Sequence, residues 1–579
     1  MKLTLPTELR GFAFDRVLPV ELNDFDVDIL LPSVFFKILS GGRDRGHNQN
    51  KPEDVQKSID SLRNHSGVQG FDGDSGKRTL DRLVRSTLIQ TGRQGTKRNS
   101  EQIQGFTGYT LLTAKPGFPK ESSTLRKVDQ LIYRMMRGQF ESEDELWRFF
   151  KGIFGRGLEL NGPRDLKVGG SYDGVTKLDT MTLLAIDYLD GFIATEVKQR
   201  NRNERSAREA CPPIAGAMAR DLRRYLQAYH KRMPVEALTY HLKALINFEL
   251  LIYTLKLFDA VTTLVGSHDQ LPPAMDERAE RAAGPTKPQL YLDFTGEAAG
   301  PSRQMAVASV RNCLDLAQRF VRANLTVRQL DRYVRALRSS RRVRVKIESV
   351  LADDEGGPRY LLSLVRLLDD AEVAREIDAS ARQDIDAVRR DTLPPPSPGK
   401  DEEDTGEFDS LIDSIVQPAE SDFEAIVLLL VETQGQKIHA RVVKWLYSVG
   451  GLAKPYGVLT GILKGRGKHN WRFAPTNDLL STLVQLAAVN TSRWDKDNPA
   501  PQPIPLADFL EFLEDRFGIV VDRPLDGFVG AEYAAAAREN VRAMLRRLGQ
   551  MGVFRDLSDD FTVQRLLPPY TSDHEEVPA

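Results

Sequence analysis

The sequence predicts a mainly α-helical, multidomain protein, with helical N-terminal and central regions and winged-helix-like (α+β) modules at the C-terminal end. Three observations predict it. Apolar residues recur at three- and four-residue steps from about 123 to 266 and again from about 304 to 391. A proline run meets an acidic run in DTLPPPSPGKDEEDTGE, residues 391–407, where no packed element is expected. Beyond it, short helical patterns alternate with Gly-rich turns and short β-type runs. At 579 residues the chain has room for roughly three or four domains.

Residues 1–120 read as a mixed, loop-rich region. FDVDILLPSVFFKIL is a dense apolar cluster, and TGYTLLTAKPGFP reads as a short strand closed by Pro-Gly. Residues 121–266 read as a helical domain. Leu125, Val128, Ile132 and Met135 mark one buried helix face, and Leu178, Met181, Ala185, Tyr188 and Phe192 another. The run at 245–266 contains Glu249, Lys256 and Asp259, so it reads as a buried helix and not a membrane span. Residues 267–304 read as a linker or long loop, 305–390 as a helical segment with a basic face, and 391–418 as a disordered linker.

The module at 419–500 starts with Ser421 and Glu424 at capping-box spacing. HARVVKWLYSVGG reads as a second helix stopped by glycine, KPYGVLTGIL as a third short helix, and WRFAP as a strand. Three helices, a basic turn and a strand are the element order of a winged helix. The module at 501–579 repeats a similar order, with helices at LADFLEFLEDRFGI and AAAARENVRAMLRRLGQMG and a strand at FTVQRLLP.

A net charge of −1 gives no global field, so partner choice falls to local patches. Two such patches point to phosphate. The first is the turn GILKGRGKHNWRF, which carries Lys464, Arg466, Lys468, His469 and Arg472 and no acid. Its glycines let backbone approach a phosphate, while the cations neutralise it and release counterions. Trp471 is expected to anchor the turn in the core. The second patch lies in residues 319–346. Arg332, Arg335 and Arg342 recur at near-helical steps with Arg328, opposite Leu330, Val334 and Leu337, and Arg338 lies beside them. These arginines would form a sequence-blind contact. The plain alternative for the first patch is a solvated hairpin whose charges aid solubility, and for the second an exposed face paired with nearby acids such as those at 351–356.

Other chemistry is thinly supported. GRQGTK lacks phosphate-loop spacing. Asp187 or Asp190 ahead of Glu196 and Lys198 suggests a Mg²⁺ nuclease, which needs the Glu-x-Lys on a strand; the preceding period is helical. The histidines form no metal spacing, and no cofactor motif is present. Cys211 and Cys313 are far apart and suit a reducing cytosol. MKLTLPTELRGF lacks the apolar core of a signal peptide, so a cytoplasmic protein with no membrane partner is expected.

The stretches LDRLVRSTLIQTGRQGTKRNSEQIQGFTGYTLLTAKPGFP, GRGKHNWRFAPTNDLLSTLV and RLGQMGVFRDLSDDFTVQRLLP together resemble proteins of bacterial phage-defence gene clusters. Within those clusters the likeness is to the seventh component of the methylation-associated defence system. The resemblance spans most of the chain and carries no catalytic signature. It implies a role beside methyltransferase, ATPase and kinase components, and it supplies no catalytic residues. The expected function is a non-catalytic DNA-binding or adaptor subunit of an antiphage defence complex, with DNA and other defence-system subunits as partners. A protein–protein scaffold without nucleic-acid contact is the first alternative, and the Mg²⁺ nuclease the second.

Overall fold

The helix Val235–Ser267 is apolar on nearly every side, and the rest of the chain is built around it. The computed structural model describes residues 3–45, 52–65, 68–91, 101–103, 109–115, 125–160, 172–190, 192, 194, 196–198, 209–277, 288–351, 357–392, 403–461, 470–490, 500–555 and 564–571. Helices dominate it, and its strands are short and paired two at a time.

The apolar cluster near the start becomes helix α1 (Leu30–Ser40), buried on all faces and ended by Gly41 at φ +65°. Helices α2 (Pro52–Arg63) and α3 (Gly73–Leu88) follow. Then comes an antiparallel pair, β1 (Ile89–Thr91) with β2 (Glu101–Ile103). The strand expected in TGYTLLTAKPGFP is instead a 3-10 turn, Leu111–Ala114. Local hydrogen bonds decide it, since the Thr113 hydroxyl donates to Thr110 O at 2.7 Å and holds the chain in a turn.

Helix α4 (Val128–Arg137) buries Val128, Ile132 and Met135, the face read from the sequence. Helix α5 (Glu143–Phe154) begins at Ser142, whose side chain accepts from Glu145 N. In α6 (Thr180–Asp190) the expected face is rotated: Thr182, Ile186 and Leu189 are buried, while Met181 is 47% exposed. Helices α7 (Pro212–Tyr229) and α8 (Val235–Ser267) then run into the core. Glu249 and Lys256 of α8 are buried and paired, so this apolar helix belongs to a protein interior. No described helix is long and apolar enough to cross a membrane.

Residues 267–304 do more than link. Strand β3 (Leu290–Tyr291) is buried and pairs in parallel with a strand more than 200 residues away, and Asn540 clamps it by accepting from Phe294 N and donating to Leu292 O. Helix α9 (Pro301–Leu337) packs along α8, with Phe258 and Phe320 stacked at 3.9 Å. Helices α10 (Arg344–Val350), α11 (Gly357–Arg366) and α12 (Ala371–Thr392) cover its far end. The linker expected over 391–418 holds a helix, α13 (Glu403–Val416), over half of its length. Arg389 of α12 pairs with Asp409 and Asp413, which offsets the acidic self-repulsion, and Ile412 is fully buried.

The Ser421 cap forms as the spacing suggests, with Ser421 Oγ accepting from Glu424 N at 3.1 Å at the start of α14 (Asp422–Leu430). The Glu424 carboxylate reaches back one residue further, to Glu420 N at 3.0 Å. A π-turn, Val431–Gly435, joins it to α15 (Gln436–Val449) without a break. Over 454–461, the described part of KPYGVLTGIL, the expected third helix does not form; residues 451–456 turn and the chain enters β4 (Leu459–Thr460). The reason is a close backbone crossing, since a Cβ on Gly457 would sit 2.0 Å from Gly451 O. Strand β5 (Arg472–Phe473) pairs antiparallel with β4, as the WRFAP reading requires. Helices α16 (Asn477–Asn490), α17 (Leu506–Phe517) and α18 (Ala531–Gln550) complete the C-terminal part. Strand β6 (Ile504–Pro505) precedes α17, and β7 (Ile519–Val520) after it is the partner of β3. The last strand, β8 (Arg565–Leu566), pairs with β6.

Candidate functional site

Helix α9 sorts its side chains as the spacing predicts: Leu330, Val334 and Leu337 are buried, and Arg335 is exposed. Three of the four predicted arginines, however, are engaged within the fold, and Arg338 is the exception. Arg332 pairs with Asp384 of α12, donates to Gln329 Oε1 at 2.9 Å and lies 4.5 Å over the Tyr333 ring. Arg335 Nε is 2.9 Å from Asp331 Oδ2, one turn back on the same helix. Arg338 closes the helix end and is half-buried. Arg342, the most open at 79% exposure, still lies 3.5 Å from Glu376 Oε1. Lys346 sits between Asp370 and Glu372. The acids that pair with Arg332, Arg335 and Arg342 are on α9 and α12, and residues 352–356 lie outside the described residues.

Arg472 has a different setting. It stands on β5 with a largely buried side chain, Nε 3.4 Å from Asp293 Oδ2. Asp293 also accepts from the Ser302 hydroxyl, at the first turn of α9. Burial lowers the Arg472 pKa, and Arg303 close by lowers it further. Arg472 is thus packed at one end of α9, whereas Arg332 to Arg342 crowd the other. From Arg303 to Arg332 the helix rises about 44 Å. Arg472 and the arginines from Arg332 to Arg342 therefore do not share one continuous patch. Trp471 is buried, as expected of an anchor, and a Cβ on Gly461 (φ +155°) would lie 2.4 Å from its Cδ1. Lys464, Arg466, Lys468 and His469 lie outside the described residues, as does GRQGTK.

The nuclease residues come out of the helix expected of them. Helix α6 stops at Asp190, and Val197 forms an antiparallel bridge with Arg45 while Lys198 N donates to Asp44 O at 2.9 Å. Glu196 and Lys198 are therefore extended and exposed. Asp190 is already held by Lys115 and His65. Among the described residues no group of three or more His, Cys, Asp or Glu side chains could hold a metal ion. His241 is half-buried with Nδ1 2.8 Å from Thr482 Oγ1; that hydroxyl donates to Asp478 O, so the imidazole is the donor to it. Both cysteines are buried, and burial pushes both thiols up, Cys313 to about 12.

With no catalytic constellation in the described residues, likeness over the whole chain decides more than any single site. The family described as methylation-associated defense system protein MAD7 has a model that matches residues 7–570. The chain belongs to this family. No curated protein and no solved structure matches it. Membership makes the chain a component of a phage-defence system and implies further subunits beside it. Sequence reading missed one feature of this family member: Arg156, Lys177 and Lys231 line a single cavity. They come from three separate turns and share no motif, so spacing carries no signal of them.

Proposed function

We propose that the protein is a non-catalytic adaptor subunit of an antiphage defence complex, joining other components through protein surfaces. One observation supports this over sequence-blind DNA binding by α9. Arg332, Arg335 and Arg342 each have a carboxylate of the same chain within ion-pair distance. Charge matched inside the fold releases few counterions on meeting a phosphate backbone, and so adds little affinity. Exposed apolar side chains on and around α6, such as Val175, Met181 and Leu184, suit contact with another protein. DNA contact in this reading is confined to the turn carrying Lys464, Arg466 and Lys468.

The test has two arms on the full chain. Fluorescence anisotropy with an arbitrary duplex is followed against salt for the wild type, Arg335→Ala/Arg342→Ala and Lys464→Ala/Arg466→Ala/Lys468→Ala. Co-purification with the other components of the defence system, expressed together, reads the adaptor role. The expected result is a stable subcomplex and no change in DNA retention on losing Arg335 and Arg342. A steep log–log salt slope that flattens in Arg335→Ala/Arg342→Ala, with no subcomplex, overturns the proposal.

A further inference from the structure

A cavity of about 740 Å³ opens between the end of α5, the turn before α6 and the turn from α7 to α8. Its size suits a small organic ligand, for which pockets run from about 300 to 1,000 Å³. Leu178, Met233 and Val235 give it an apolar wall. Three cations, Arg156, Lys177 and Lys231, line the same space, and none has an ion-pair partner among the described residues.

The local sequence fixes each of them. Arg156 stands between Gly155 and Gly157, and Gly157 has φ +73° with its Cα close to Leu178, whose Cδ1 would lie 2.6 Å from a Cβ there. That close approach sets Leu178 beside the Arg156 turn, and a bridge between Leu158 and Tyr172 fastens the two segments. Asp173 closes the next turn by accepting from Val175 N at 3.0 Å and Thr176 N at 2.9 Å, which places Lys177. Lys231 lies in the tight turn between α7 and α8. The lining acid is Asp179, and it is occupied: it accepts from Thr182 N at 2.9 Å and from the Thr182 hydroxyl at 2.7 Å as the cap of α6. Pro234 and Val235 also line the space, so the free N–H groups at the start of the 33-residue α8 add positive potential. His230 donates from Nδ1 to Leu226 O and Gln227 O, which leaves Nε2 as an acceptor.

Three cations against the single carboxylate of Asp179 leave the lining net positive, and a bound anion relieves their mutual repulsion. We propose that this cavity binds an organic phosphate of mononucleotide size, its phosphates held by Arg156, Lys177 and Lys231 and its apolar part set against Leu178, Met233 and Val235. This site is independent of the adaptor reading. A small-molecule signal reaching the complex through this subunit would enter here.

Isothermal titration calorimetry of the full chain, with ATP as the probe, tests it. Pyrophosphate and adenosine serve as competitors. ATP is expected to bind and pyrophosphate to displace it, with adenosine at least about ten-fold weaker than ATP, as one lost charge-assisted contact implies. Lys177→Ala/Lys231→Ala is expected to weaken ATP by about a hundred-fold, and Arg156→Gln by about ten-fold. All three side chains are exposed, so the variants should fold, and circular dichroism checks that they do. Lys346→Ala, whose ammonium is spent on Asp370 and Glu372, should bind as the wild type does. Absence of ATP binding, adenosine binding as tightly as ATP, failure of pyrophosphate to compete, or indifference to the Lys177 and Lys231 changes would each overturn the assignment.

Discussion

Replacing Arg516 by methionine tests what locks the C-terminal part of the chain to the central helices. Arg516 Nε donates to Asp221 Oδ2 of α7 at 2.7 Å, and Nη2 donates to Glu249 Oε2 of α8 at 2.9 Å. Its carbonyl accepts from Lys256 Nζ, and Asn490 of α16 bonds the second oxygen of Asp221. Four helices thus meet on one guanidinium. The side chains are closed to water, with exposures of 14% for Arg516, 8% for Asp221 and 1% for Glu249. Burial pushes the Glu249 carboxyl up to about 8 against the pull of Arg516, and the nearby Asp221 pushes the same way. The negative charge that Arg516 balances is shared by the buried Asp221 and Glu249 carboxyls. Arg516→Met strands that charge in the core, at a cost of about 3–5 kcal/mol. Glu249→Gln keeps a neutral acceptor for Arg516 and should cost under about 1 kcal/mol at pH 7. Urea denaturation followed by circular dichroism compares the two. A loss below about 1 kcal/mol for Arg516→Met, or equal losses for both variants, would refute the reasoning.

Two further outcomes are open to direct measurement. Burial holds the His241 imidazole down at about 4, below its ordinary value of 6.5, so as pH falls through that window the unfolded chain takes up the proton first and stability is lost. His241→Gln keeps a donor for Thr482 without the titration, so the variant should lose about 3 kcal/mol less than the wild type between pH 7 and 4; parallel curves would rule this out. Gly457→Ala drives a methyl group onto the Gly451 carbonyl, at a cost of at least about 3 kcal/mol; an unchanged melting temperature would show that the turn before β4 yields freely.

Much of the helical framework is legible because helix burial leaves a periodic trace. The α4 face, the Ser421 cap and the glycine after α15 are local features, and each appears where the spacing puts it. The misreadings share a cause. KPYGVLTGIL has an acceptable helix start, yet Gly457 crosses Gly451 six residues back, a close approach that apolar spacing does not reveal. The acidic stretch after residue 400 looks self-repelling until Arg389, on another helix, is set against it. The α6 stripe is rotated because a weakly amphipathic run has apolar residues on several faces, and its neighbours choose among them.

The basic helix shows the same division. The sequence by itself determined that α9 buries leucine and valine on one side and turns arginine to the other, since helix geometry maps spacing onto faces. Only the tertiary structure decided whether those arginines are free, because Asp384 and Glu376 arrive from a helix some forty residues on. Composition and local periodicity fix which groups are present and which way a helix must lie. Whether a charge is spent or available depends on what packs beside it, and so does whether three cations from separate turns share one cavity.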